Sequence, residues 1–261
     1  MKSKLYYVLY FLYIVVVFFV LYLNGVFTGE QSSSTNLVIN IVFLVIIGII
    51  FVIASIGFGR LNRITYELED VMFRLEKEYK AADGKNLWAE YKDKVKVFEE
   101  IELQDAFNKY RMQAKGSKSR RGPVPSCDLG EYINEDLLDR AGMNFFNSGV
   151  SGTLTGLGIL GTFLGLSMGM GAFSGNDIFT ISDNVGSLLS GMKVAFHTSV
   201  YGILFSLVFN LVYRSIMSDA YEVLDEFLSV FRQTVQPVGV REDESTATML
   251  VYQAGMAGTL K

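Results

Sequence analysis

Four stretches of this 261-residue chain are long and apolar enough to cross a lipid bilayer, and they decide most of what it can fold into. A helical span needs roughly 20 apolar residues at about 1.5 Å of rise each. Residues 5–23 and 37–58 carry no charge, and residues 150–173 are uncharged and rich in glycine. Residues 185–213 hold two exceptions, Lys193 and His197. Half of the chain is hydrophobic, and concentrating that content in four blocks argues against a soluble globular fold. The fold class expected is an all-α integral membrane protein. It has four transmembrane helices, a helical cytoplasmic insert and a helical cytoplasmic tail. Lys2 and Lys4 precede the first block as they would in a signal peptide. Its apolar run exceeds a typical signal core and no small-x-small site follows Leu23, so it reads as a retained span.

Lysine and arginine placement orients the chain. Residues 24–36 and 174–184 contain neither, whereas residues 59–148 contain sixteen. By the positive-inside rule both termini and the middle segment are cytoplasmic, with two short loops outside. The layout is residues 1–58 for spans one and two, 59–148 for the insert, 149–213 for spans three and four, and 214–261 for the tail helix.

Leu61, Ile64, Leu68, Val71, Leu75 and Tyr79 recur at steps of three and four, extending the second span as a helix. Asp83-Gly84 is a break. Trp88, Tyr91, Val95 and Phe98 then predict a second helix running to about Tyr110, and residues 116–125 a loop. A third helix is expected from near Asp128, feeding directly into the third span. Ala220, Leu224, Phe227, Phe231 and Val235 predict a helix beyond the fourth span that stops near Pro237. Residues 241–261 are weakly patterned and fit either a short tail or the start of a longer helix.

Several chemistries are disfavoured. The lone Cys127 falls on the reducing side, so no disulfide is expected. Lys115, Lys118, Arg120 and Arg121 form a small basic cluster, which suits a loop near anionic lipid and not a nucleic-acid site. The charge runs at 67–70 and 99–105 read as solvated helix faces. One His, one Cys, no phosphate loop and no metal-spaced cluster leave no catalytic set, so neither an enzyme, a metal site nor a cofactor is expected.

The informative residues line spans three and four. On a helix, Ser151, Thr155, Gly158, Thr162, Gly165 and Gly169 share one stripe, every member small or hydroxylated. Ser187, Gly191, Ala195, Ser199, Gly202, Ser206 and Asn210 form its counterpart in the last span. Two readings stand side by side. The stripes are packing seams of the GxxxG kind, which Gly161, Gly165 and Gly169 fit. Alternatively, they line a path for a small cation or a partner helix, with hydroxyls replacing water ligands. Thr162 and Ser199 lie near the middle of antiparallel spans, so both hydroxyls should share one depth, which favours the path. Lys193 and His197 lie one turn apart and roughly opposite Ser199. Lys193 can snorkel outward, and His197 either titrates or hydrogen-bonds a neighbouring helix. No Asp or Glu occurs inside any span, so an ion-driven device would need a carboxylate from another chain.

Two segments carry a resemblance. Gly156-Leu-Gly-Ile-Leu-Gly-Thr-Phe-Leu-Gly-Leu and Gly191-Met-Lys-Val-Ala-Phe-His-Thr-Ser-Val-Tyr-Gly resemble the MotA/TolQ/ExbB proton-channel family, most strongly over residues 128–213. The two-plus-two layout looks like MotA and unlike the three-span TolQ and ExbB, and the combination looks most like the ZorA branch that serves anti-phage defence. The resemblance implies a homopentamer in the bacterial inner membrane around a dimer of a single-span protein with a transmembrane Asp. That Asp would take H+ or Na+ near Thr162 and Ser199, with Thr155 and Thr198 also on the ion pathway and Gly158, Gly161, Gly165, Gly169 and Gly202 packing the helices. Ion flow would then drive rotation. A flagellar or Ton/Tol-type stator and a non-conducting helical scaffold are the alternatives.

Overall fold

The computed structural model describes residues 6–23, 34–116, 127–171 and 178–236. The 116–125 loop with its basic cluster, the two short outer loops, the N-terminal lysines and residues 241–261 fall wholly or largely outside them. Among the described residues the chain is helical without strands. Its helices are α1 (Tyr6–Leu23), α2 (Ser34–Ala81), α3 (Trp88–Tyr91), α4 (Ile101–Gly116), α5 (Glu135–Ala141), α6 (Asn144–Gly171) and α7 (Ile178–Thr234). Contacts divide the chain into two compact units. A membrane unit comprises Met1–Asn62 and Leu138–Tyr221, and an insert unit comprises Arg63–Leu137 and Glu222–Lys261.

Three helices are long and apolar enough to cross a membrane: Leu37–Ala81, Asn144–Gly171 and Leu188–Thr234. The apolar stretch Tyr7–Tyr22 of α1 is shorter. Exposure agrees with lipid as the solvent: Phe11, Phe18, Val52, Phe163, Phe196 and Leu211 are all exposed. A water-soluble unit would not leave so many large apolar side chains outward, whereas lipid accepts them at no cost. Inside the membrane unit, Tyr13 of α1, Phe51 and Phe58 of α2, and Phe205, Phe209 and Tyr213 of α7 make a run of ring contacts. Gly48 makes room for the Tyr13 ring, whose hydroxyl donates to the Leu44 carbonyl at 2.9 Å.

The stripe that continues the second span is realised without interruption, since α2 runs to Ala81 and buries Leu68, Val71 and Leu75. The turn after it uses positive φ at Asp83 (53°) and Gly84 (75°). Beyond that point the insert departs from expectation. The helix predicted from Trp88 to Tyr110 is broken: α3 ends at Tyr91, and Val95 is 84% exposed. Side chains hold the intervening backbone instead. Gln104 Oε1 accepts from the amides of Val97 and Phe98, at 2.9 Å each. Glu67 accepts from the amides of Glu99 and Glu100, the latter at 2.8 Å. Glu67 is therefore buried, although its charge run reads as a solvated face.

A second correction concerns the approach to α6. Asp128 caps a short 3-10 turn, Leu129–Glu131, and α5 then ends at Ala141. Met143 adopts a positive φ of 51°, which ends α5 and starts α6 as a separate helix. Asn147 fastens this joint by donating from Nδ2 to the Gly142 carbonyl at 2.7 Å.

Candidate functional site: the paired faces of α6 and α7

Glycine lets α6 and α7 touch backbone to backbone. A Cβ on Gly202 would stand 2.7 Å from the Gly158 Cα, and one on Gly165 would stand 2.6 Å from the Ala195 nitrogen. Gly169 faces Leu188 and Gly191, and Gly161 receives the Thr198 side chain. These pairings run in opposite directions along the two helices, so the helices are antiparallel. Gly158, Gly161, Gly165 and Gly169 are all buried in this contact. The seam thus passes through Gly161 and not through Thr162, one residue and about 100° further round the helix.

Thr198 belongs to the seam as well. It is fully buried, and its hydroxyl lies 3.0 Å from the carbonyls of both Val194 and Ala195. That geometry satisfies the hydroxyl within its own helix, the usual solution for Ser and Thr in a membrane span. Of the four residues read as an ion pathway, Thr198 is accordingly placed among the packing residues.

Thr162 and Ser199 occupy the edge of the seam. Each follows a seam residue by one position, Gly161 and Thr198 respectively, and those two touch. In an antiparallel pair one further step rotates both side chains toward the same flank. The two steps run in opposite axial directions, so the offset is two residue rises, about 3 Å. Both residues are half-buried. The Thr162 hydroxyl donates to the Ile159 carbonyl at 2.5 Å, so what it offers outward is lone pairs. Such an oxygen suits a protonated carboxyl or a metal cation.

Thr155 lies on the same flank nearer the start of α6. Its hydroxyl is 2.9 Å from Ser206 Oγ, which is in turn 2.8 Å from Ser151 Oγ. The three hydroxyls form one hydrogen-bonded cluster across the two helices. Sequence spacing placed Ser151, Thr155 and Ser206 on the right stripes but did not show that they meet.

Lys193 is exposed and His197 is half-buried, both turned away from the flank that carries Thr162 and Ser199. Two polar contacts of the membrane unit escaped the sequence reading. Tyr201 donates to Asn40 Oδ1 of α2 at 3.3 Å, with both side chains buried, and Tyr213 donates to Asn144 Oδ1. A polar residue near each end of an apolar run was the available signal. Among the described residues no group of three or more His, Cys, Asp or Glu could hold a metal ion.

Comparison with known proteins adds a family. Residues 16–250 match a family model described as the anti-phage protein ZorA of the Zorya type I system. The Zorya protein ZorA of Escherichia coli O139:H28 is 27% identical to this chain over 143 residues, which make up 55% of the chain. The same alignment covers 18% of the Escherichia coli protein, so the chain corresponds to a small part of that relative's length. A family match over most of the sequence, on a helical chain with three helices fit to cross a membrane, is decisive: the chain belongs to the ZorA-like family of Zorya anti-phage proteins.

Proposed function

We propose that this chain is the membrane part of an ion-driven motor subunit that serves anti-phage defence. Five copies surround a dimer of a single-span protein whose membrane Asp carries H+ or Na+, and passage of the ion turns one component against the other. The chain crosses the bacterial inner membrane four times, with α1 as the first span, and both termini are cytoplasmic. It is not an enzyme and needs no bound cofactor.

The observation that carries this reading is the flank beside the α6–α7 seam. There Thr162 and Ser199 present oxygens at one depth, in spans that contain no Asp or Glu. Burying a lone hydroxyl near mid-membrane has a cost, and Thr162 meets it with an internal hydrogen bond while keeping its lone pairs outward. A carboxylate from a partner helix is the group that such a surface complements. Family membership supports the defence role, and the likeness of the glycine-rich segments to MotA/TolQ/ExbB channels supports the motor.

The glycines favour a narrower reading for themselves. Gly158, Gly161, Gly165, Gly169 and Gly202 meet within one chain and act as packing residues, as a scaffold would also require.

Ion flux into sealed vesicles, measured with and without the single-span partner under an imposed membrane potential, tests the proposal. Flux that appears only with the partner and scales with potential is expected. A stable assembly with no potential-dependent flux would return the chain to the scaffold reading.

A further inference from the structure

One face of α6 is left open by the rest of the chain. Phe145, Gly149, Gly152 and Gly156 follow one another at steps of four, three and four, so they share the side of the helix opposite the glycines that meet α7. Phe145 is 100% exposed. A Cβ on Gly149, Gly152 or Gly156 would meet nothing within 4 Å, whereas Gly161 and Gly165 are crowded by α7. The three open glycines make a shallow groove about 10 Å long.

At the foot of the groove lies an open pocket of about 430 Å³, lined by Asp139, Arg140, Met143, Asn144, Phe145 and Ser148. The positive φ of Met143 turns the chain between α5 and α6 and so gathers the last turn of one and the first turn of the other around this space. Tyrosines of α7 fix two of its side chains: Tyr221 donates to Asp139 Oδ1, and Tyr213 to Asn144 Oδ1. The Ser148 hydroxyl donates to the Phe145 carbonyl, which leaves its lone pairs outward. Arg140 is exposed, and no ion pair or side-chain hydrogen bond engages its guanidinium among the described residues. The apolar block of α6 begins at Val150, about 9 Å along the helix from Asn144, which puts the pocket at the depth of lipid headgroups.

We infer that pocket and groove together hold one phosphatidylethanolamine molecule. Its phosphate sits on Arg140, its ammonium on Asp139, and one acyl chain lies along the glycines beside Phe145. The inference rests on α6 crossing the bilayer and goes beyond ion flow. Adjacent side chains of opposite charge match a zwitterion. A guanidinium offers two parallel N–H donors to a phosphate, while the Asp139 carboxylate and the Ser148 oxygen accept from a primary ammonium. Phosphatidylglycerol brings a negative charge with no cation for Asp139. Phosphatidylcholine brings a quaternary nitrogen with no N–H to donate. A helix of a second copy would also fit a glycine groove, but that contact does not call for a charge pair at headgroup depth.

Native mass spectrometry of the delipidated full chain, with phosphatidylethanolamine, phosphatidylcholine or phosphatidylglycerol of identical acyl chains added back, counts the lipids retained per chain. Wild type should retain one phosphatidylethanolamine, at about tenfold lower lipid concentration than either competitor requires. Asp139→Asn still accepts from Tyr221 and should erase the preference for ethanolamine over choline. Arg140→Gln should weaken retention of both by about tenfold. Gly152→Leu places its side chain in open space, so it should keep the Tm while lowering retention through the acyl chain. Equal retention of the ethanolamine and choline lipids by wild type, or full retention by Arg140→Gln, would overturn the site. If Gly152→Leu instead reduces the number of chains in the assembly and leaves lipid retention unchanged, a helix of a second copy fills the groove and the proposal fails. Retention is read without flux, so its failure leaves the motor reading standing. A chain that retains the lipid but conducts no ion ends the motor reading alone.

Discussion

The α6–α7 pair of the membrane unit and the insert unit solve the packing problem with opposite materials, while α1, α2 and α7 of the membrane unit also pack through rings. In the membrane unit α6 and α7 meet through Gly158, Gly161, Gly165, Gly169, Gly191 and Gly202, so closely that a single methyl group on Gly165, Gly191 or Gly202 would overlap backbone. In the insert unit the contacts are large rings: Phe98, Phe107, Tyr110, Phe227 and Phe231. The difference follows from the solvent. Water drives large apolar groups together, so big side chains bring the most stability per residue there. Lipid gives no such drive, and helices associate through close van der Waals contact that small residues allow. Polar groups divide the same way. The insert unit uses a buried carboxylate, Glu67, to hold backbone amides, whereas the membrane unit keeps its hydroxyls satisfied by neighbouring carbonyls or by one another.

The sharpest test of that contrast is bulk in the seam. Gly165→Leu drives a side chain into the Ala195 backbone, which has no flexible end to yield, and should cost about 3 kcal/mol or more. Loss of monodisperse protein in detergent, or a large fall in Tm, is the expected readout. An unchanged Tm would break the account of the seam. An added methylene at Phe107, within the aromatic core, is not comparable, because rings and side chains there can shift.

Next in size is the carboxylate clasp. Glu67→Ala leaves the amides of Glu99 and Glu100 without their acceptor and should destabilise the protein by about 2 kcal/mol, read as a lower unfolding midpoint. Glu67→Gln, which keeps one acceptor oxygen, should lose roughly half as much.

A smaller effect belongs to the ion pair between Asp128 and Arg232, whose closest approach is 2.7 Å. Burial raises the Asp128 carboxyl, but hydrogen bonds from Arg232 and the Gly130 amide outweigh it, leaving the pKa below its ordinary 3.8. A depressed acid stabilises the fold at neutral pH and loses that contribution as pH falls through the folded-state value. Unfolding midpoints measured from pH 7 downward should therefore drop below about pH 4, by at most about 1 kcal/mol for so exposed a pair. Arg232→Gln should flatten that part of the profile.

Smallest is Tyr201→Phe, which removes the hydroxyl that Asn40 accepts and should cost about 0.6 kcal/mol, the average for hydrogen bonds between membrane helices. A Tm change near that of Gly165→Leu would mean that polar contacts, and not glycine, hold this unit together.

Periodicity made the long elements legible. The apolar spacing from Leu61 to Tyr79 and from Ala220 to Val235 marks the continuations of α2 and α7, and Asp83-Gly84 marks the turn that ends the first of them. It failed where a distant residue decides local structure. Residues 92–100 have helical spacing at Tyr91, Val95 and Phe98, yet Glu67 and Gln104 capture their amides, and nothing local announces that. The Gly142–Met143 joint failed for a related reason, since a positive φ at methionine depends on the surrounding packing. Within the candidate site the stripes were visible, but two parallel lines one residue apart share the same period. Which of Gly161 and Thr162 enters the seam is set by the partner helix, so the identity of the packing residues needed the structure.

The central claim is that the residue just outside the seam, and not the seam itself, meets the ion. Flux through the assembly of this chain with the proposed single-span partner, compared between wild type and the Thr162→Val, Ser199→Ala double variant, tests it most directly. The account predicts that flux falls by about tenfold or more while the Tm stays within a degree or two, because neither side chain sits in the glycine contact. Unchanged flux in a stably assembled double variant would contradict it.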